Sequence, residues 1–156
     1  MNKIRELPGK NVIVIPAILV LSLAATLLFS LYMGLPRKGT ISDCRMAESE
    51  SYIEEIKQKG RVTTITGWFL VRKQDSSRQL RKELVLSSPD KSYSYPVRYI
   101  DRPDVAEAYG SIYGRAGFEV QVSSRFVGKG SYRLYIRYLY SNSSYAADLK
   151  KEIALQ

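Results

Sequence analysis

Residues 100–110 read Ile-Asp-Arg-Pro-Asp-Val-Ala-Glu-Ala-Tyr-Gly, and residues 117–120 read Gly-Phe-Glu-Val. Pro103 fixes φ at the start of a short helix. Asp104 has the chemistry of an N-cap, an oxygen that accepts orphan N–H groups. Glu107, three residues on, completes a capping-box spacing. Gly110 offers the exit after about one and a half turns. Phe118, Val120 and Val122 then alternate with polar residues, which is the signature of a strand. The stretch therefore reads as strand, one-turn helical corner, strand, and such a corner is expected to join the two layers of a β-sandwich.

Outward from the corner, alternation dominates. Arg61–Val71 is rich in β-branched and aromatic residues, as strands are. Leu80–Ser88 makes a second strand with Leu84 and Leu86 on one face, and 88–91 (Ser-Pro-Asp-Lys) is a turn by composition. Tyr93–Tyr99 reads as a third strand, with Tyr93, Tyr95, Val97 and Tyr99 sharing a face. After the corner, Phe118, Val120, Val122 and Phe126 oppose Glu119, Gln121 and Arg125. Gly128–Gly130 turns the chain. Tyr132, Leu134, Ile136 and Tyr138 then face the core, which leaves Arg133, Tyr135 and Arg137 as an exposed stripe. Five or more short strands about ten residues apart predict an antiparallel, immunoglobulin-like sandwich over residues 51–156. Ser51–Lys59 is open between a short amphipathic helix and an edge strand. Residues 148–155, with Leu149 and Ile153 four apart, read as a short C-terminal helix or a frayed tail.

Ahead of this domain lies a different kind of sequence. Residues 11–36 contain no charged side chain, and Val12–Leu35 is dominated by Ile, Leu, Val, Ala and Phe. As a helix, a run of that length spans about 30 Å of hydrocarbon. The apolar core of a cleaved signal peptide would be shorter, and no Ala-x-Ala site follows promptly. The expectation is an uncleaved single-pass transmembrane helix, with residues 1–10 as a cytoplasmic stub and 37–50 as a linker. Counting positive residues in the two flanks gives near parity. The short N-terminal flank with its free amine favours a cytoplasmic N-terminus and an extracytoplasmic domain at the plasma membrane. Small residues along the helix offer faces for packing against a multi-pass partner.

The chain carries 24 Lys and Arg against 15 Asp and Glu, for a net charge of +9, and has no His and a single Cys. Residues 35–156 hold 21 of those cations and 14 of those carboxylates, so about +7 belongs to the domain itself. Such a balance favours polyanions. Absent histidine removes His-based acid–base chemistry and most zinc sites, and one cysteine, Cys44, permits no intrachain disulfide. A lone cysteine in an oxidising compartment either bridges two chains or stays a free thiol. No metal or cofactor is expected. A serine nucleophile would need a Lys or carboxylate base, and no such motif is present. Asp101 and Asp104 invite a glycosidase reading, but capping by Asp104 and corner-locking by Arg102 account for them better. No nucleic-acid motif is visible, and an outward domain would not meet nucleic acid. A lone anchor without intramembrane charge excludes transport.

Four short patterns carry a resemblance: Gly67-Trp68 near the end of the first strand, Arg102-Pro103-Asp104-Val105-Ala106 after the middle one, Gly117-Phe118, and Gly130-Ser-Tyr-Arg-Leu. In order and spacing they resemble the small immunoglobulin-like module that accompanies bacterial cell-envelope glycosyltransferases, over roughly residues 61–140. The resemblance implies a non-catalytic envelope module linked to surface polysaccharide, and it carries over no binding residue. No glycosyltransferase domain is present in this sequence, so that enzyme would be a separate chain.

Tyrosine and arginine together supply the candidate surface. Eleven of twelve tyrosines lie in the domain, many beside arginine. Sugars stack on aromatic faces, and Arg reads acidic groups. Protein interfaces are enriched in the same residues. The expected binding residues are Arg133, Tyr135, Arg137 and Arg98, with Arg102, Asp104 and Glu107 as a structural corner. The expected function is a non-catalytic accessory of surface-glycopolymer assembly that binds an anionic polysaccharide or scaffolds a membrane-bound glycosyltransferase or polymerase. The alternative is an envelope assembly protein whose sandwich makes only protein–protein contacts.

Overall fold

The computed structural model describes residues 18–28 and 35–155, and the chain divides into two units, Met1–Met33 and Gly34–Gln156. In the first unit, residues 18–28 form helix α1, with exposed apolar side chains such as Leu19, Leu21 and Leu28. The expected stub (1–10) and much of the expected anchor (11–17 and 29–34) lie outside the described residues. Among those described, no helix is long and apolar enough to cross a membrane.

The second unit is a sandwich of two sheets. Its elements, in chain order, are β1 (Arg37–Lys38), β2 (Arg45–Ala47), β3 (Ser49–Lys59), β4 (Val62–Val71), β5 (Leu80–Ser87), β6 (Ser92–Pro96) and β7 (Arg98–Ile100). Helix α2 (Pro103–Tyr109) follows, then β8 (Gly117–Ser123), β9 (Gly130–Tyr140) and β10 (Ser143–Leu155). Six strands form one sheet in the order β1-β6-β5-β9-β10-β2, and four form the other in the order β3-β4-β8-β7. Every pairing is antiparallel except that of β10 with β2.

Period-two alternation builds the core between the sheets. Ile65, Phe69, Phe118, Val120 and Val122 point inward from the four-stranded sheet. Leu84, Leu86, Tyr95, Leu134, Ile136 and Tyr138 meet them from the six-stranded one. Burying each such side chain contributes about 1.5–3 kcal/mol. Phe69 touches both Phe118 and Tyr138, with ring centroids 6.5 and 5.8 Å apart, so the two layers meet around it.

Four local expectations are corrected. First, the expected linker, 37–50, is built into the domain. β1 and β2 add to the edges of the six-stranded sheet, and β3 starts at Ser49. Short edge strands are held by backbone bonds, so polar composition does not disclose them. Second, the expected third strand divides. Pro96, with no N–H to extend a ladder, ends β6 in one sheet, and Arg98 opens β7 in the other.

The layer change therefore sits at Pro96–Val97, which overturns the third expectation. The corner joins β7 to β8, neighbours within one sheet. Helix α2 instead covers the outward face of that sheet, where Val105, Tyr113, Ala116, Leu70 and the edge of Trp68 form a second small apolar cluster. Fourth, 148–155 is neither helix nor frayed tail but the second half of β10. Asp148 pairs with Tyr135 and Glu152 with Arg133, so a bulge of two extra residues sits between them, with Lys150 at φ 53°. Two extra residues preserve facing, and Ile153 and Leu155 return to the core. Ser51–Lys59 resolves as strand, the long outer edge of the four-stranded sheet.

Candidate functional site

Parity along β9 places Tyr132, Leu134, Ile136 and Tyr138 inside and leaves Arg133, Tyr135 and Arg137 on the outer face of the six-stranded sheet. Two neighbouring strands then supply carboxylates to that face. Arg133 donates from Nε and one terminal nitrogen to the two oxygens of Asp148 on β10, at 3.3 and 2.6 Å. Burial alone raises the Asp148 carboxyl, but the Arg133 guanidinium and the Lys150 N–H together hold it below its ordinary range. Arg137 is engaged more completely. Its Nε donates to Glu83 of β5 at 3.2 Å, one terminal nitrogen makes a still closer contact with the same carboxylate, and the other donates to the Thr40 carbonyl at 3.0 Å.

Arg137 therefore ties β9, β5 and the segment after β1 together, and none of its three nitrogens is left without a partner. Arg133 and Tyr135 are the members of the stripe that still face outward for a ligand. They border a shallow open depression of about 430 Å³ that is shared with Ser87, Ser88, Ser131 and Glu152. A second depression, about 500 Å³, opens at the Arg137 end beside Arg81, Asp43 and Cys44. Burial pushes the half-buried Cys44 thiol above its ordinary pKa, and Arg137 only partly counters this, which suppresses the thiolate.

Arg98 does not join this face. It lies on β7 in the other sheet, paired across the strands with Glu119 at 3.3 Å. The carboxylates that pair with these arginines were not part of the sequence expectation. Glu83 stands directly opposite Arg137 in the ladder, a pairing set by the register of β5 on β9 rather than by the alternation within either strand. The Asp148–Arg133 pair depends on the bulge in β10, which periodicity does not reveal.

At the corner, the N-cap position is Arg102, with no side-chain cap, and Asp104 falls inside the first turn. The expected capping role of Asp104 is thereby replaced. Its two oxygens accept from the Arg102 guanidinium at 2.8 and 2.6 Å, and that contact, first among several, holds its carboxyl down at about 2. Arg102, 15% exposed, also reaches Glu54 on β3 at 2.6 Å, and its own N–H donates to Gly114 O at 2.7 Å. Corner-locking thus runs through Arg102. Among the described residues the Glu107 side chain makes no hydrogen bond or ion pair, so the expected capping box is not formed. Gly110 ends the helix as read, at φ 120° with its N–H on Ala106 O.

Of the two carboxylates that a paired acid–base site would need, Asp104 is bound by Arg102, while the exposed Asp101 lies 3.8 Å from Arg115. Among the described residues no group of three metal-ligating side chains gathers. On the outer face of the six-stranded sheet the relief is shallow, and Arg133 and Arg137 are each paired with a carboxylate of a neighbouring strand. No protein-family model, curated protein or solved structure matches the chain.

Proposed function

We propose that this chain is a single-pass envelope protein. Its apolar N-terminal run is the anchor, its N-terminus is cytoplasmic, and its sandwich, of immunoglobulin-like type, stands outside as a non-catalytic accessory of surface-glycopolymer assembly. The charge-free run of residues 11–36 and the four short sequence patterns support this reading. The observation that carries the binding assignment is the depression beside Arg133 and Tyr135. It combines an aromatic ring, three serine hydroxyls, one carboxylate and one guanidinium on a shallow open surface. Such a surface suits a glycan, whose hydroxyls need both donors and acceptors and whose ring faces stack on aromatics.

Because Asp148 already accepts from Arg133, an acidic group on the glycan would share that guanidinium rather than own it. The site therefore reads hydroxyls first and charge second. Titration of the full chain in detergent with envelope polysaccharide, against Tyr135→Ala, tests the assignment. Equal binding by a folded variant rejects it.

A second reading, a scaffold for a membrane-bound glycosyltransferase or polymerase, is favoured by the full engagement of Arg137. Guanidiniums pinned by carboxylates lose little side-chain freedom on docking, which suits a protein partner. Co-purification of such an enzyme from native membranes, abolished by Arg133→Glu while glycan binding persists, would select this reading.

A further inference from the structure

The excess positive charge is concentrated at one end of the sandwich rather than on the outer stripe. The β3–β4 hairpin carries Lys57, Lys59 and Arg61, and the β8–β9 loop carries Arg125 and Lys129, while residues 56–66 and 120–132 contain no Asp or Glu. None of these five cations makes an ion pair among the described residues, in contrast to Arg98, Arg102, Arg133 and Arg137. The two segments meet. Val62 pairs with Ser123, and the Ser124 N–H donates to Arg61 O at 2.8 Å.

Apolar side chains stand among the charges. Phe126 is 42% exposed and Val62 39%, and the Arg125 guanidinium lies over the Phe126 ring, 5.9 Å from its centroid. Further cations border the same end. The Tyr132 hydroxyl donates to Gly128 O in this loop, its ring lies 6.1 Å from that of Tyr93, and Lys38 stands opposite Tyr93 in the ladder. Lys91 closes the neighbouring hairpin, where Asp90 is the opposing carboxylate, and Glu152 is the next one along β10.

From this we infer that the Arg61/Arg125/Lys129 end, with Phe126 at its tip, docks on the phosphate headgroups of an anionic lipid surface. A soluble polyanion would satisfy the cations but leave Phe126 and Val62 in water. At the lipid interface both are satisfied, with headgroups for the cations and the acyl boundary for the ring. The inference rests on the anchor reading only for the nearness of a bilayer. Few residues separate the apolar run from β1, and so short a tether makes docking effectively intramolecular. A cation near an anionic surface strengthens attachment about fivefold, and salt removes the effect.

The test uses the full chain, with Cys44→Ser and an environment-sensitive fluorophore on Phe126→Cys, mixed with or reconstituted into vesicles. The expected result is a blue shift with phosphatidylglycerol vesicles that is lost in high salt and lost when Arg61, Arg125 and Lys129 are changed to Glu. The same label on Asn142→Cys, in the β9–β10 turn at the opposite end, should not shift. Near-UV circular dichroism confirms that each variant is folded. The proposal is overturned by no shift at position 126, by an equal shift with phosphatidylcholine alone, by a shift at 142 instead, or by an equal shift with anionic polysaccharide and no vesicles. Flotation in alkali separately tests the anchor. Release there would remove the anchor reading, while the shift at 126 still judges the docking end.

Discussion

The Nζ of Lys82 donates a hydrogen bond to the Arg115 carbonyl at 3.0 Å, so a lysine of β5 in one sheet holds the chain that leaves the corner of the other. Lys82 is only 3% exposed and lies between the rings of Phe69 and Tyr99, at 5.2 and 5.0 Å, with Arg115 also against Tyr99. Burial, reinforced by the Arg115 charge, brings its pKa down from 10.5 to about 7.

The sign of the pH dependence follows from that shift. Above about pH 7 the folded state releases the Lys82 proton while the unfolded chain keeps it until about 10.5, so unfolding takes up a proton and stability rises with pH. The unfolding free energy from urea denaturation should rise between pH 7 and about pH 9, by up to about 2 kcal/mol. Lys82→Met should flatten that rise and be relatively more stable at the acid end. A variant with the same slope as the parent would show that Lys82 is not the group responsible.

Arg102 should matter more to the corner than Asp104 does. Arg102→Met removes both carboxylate contacts and the link from α2 to β3, an expected loss of about 1–2 kcal/mol in chemical denaturation. Asp104→Asn leaves the Glu54 contact in place and should cost less. The Asp104 carboxyl is held at about 2 in the folded state against 3.8 ordinarily, so its contribution is present above about pH 4 and lost as the pH falls toward 2. Acid unfolding of Asp104→Asn should therefore be shallower than that of the parent through this range.

The sequence was most readable where one strand stays in one sheet. The inward set of β9 follows from alternation alone, because each side chain's facing is fixed by the pleat. Alternation is silent about which sheet a strand belongs to. Tyr95 and Val97 are both buried, yet β6 ends between them at Pro96, and the pattern continues across the switch. The corner was legible as a helix for the same local reason, while the strands it connects depend on long-range pairing. Arg133 and Arg137 were placed outward correctly. Their engagement by Asp148 and Glu83 comes from partner strands whose register no single segment encodes.

The bulge in β10 is the most local of these failures and makes its own prediction. Leu149 and Ile153 are four apart, a helical spacing, because two extra residues are inserted while Lys150 takes φ 53°. The Lys150 N–H donates to the Asp148 carboxylate at 2.8 Å, which stabilises the turn. A β-branched residue tolerates that φ poorly, so Lys150→Val should cost about 1–2 kcal/mol, while Lys150→Gly should be near neutral. Thermal melts of the two variants discriminate, and equal stability would show that the bulge does not survive in solution.

The last prediction separates binding from folding on the outer stripe. Arg137 is engaged on three sides by Glu83 and Thr40, and its side chain is about one-quarter exposed. Arg137→Ala would leave Glu83, itself largely covered, without its cation, and would release the segment after β1. The expected effect is a loss of about 2–3 kcal/mol in stability with ligand affinity little changed in the folded fraction. Tyr135→Ala, at the rim of the depression, should do the opposite, weakening glycan binding at nearly constant stability. Glu83→Gln is the control. Added to Arg137→Ala, it keeps the shape and removes the uncompensated charge, so it should recover most of the stability that Arg137→Ala loses. If Arg137→Ala instead abolished binding in a fully stable protein, the guanidinium would have to leave Glu83 for the ligand, and the face would be a switchable anion site rather than a pinned one.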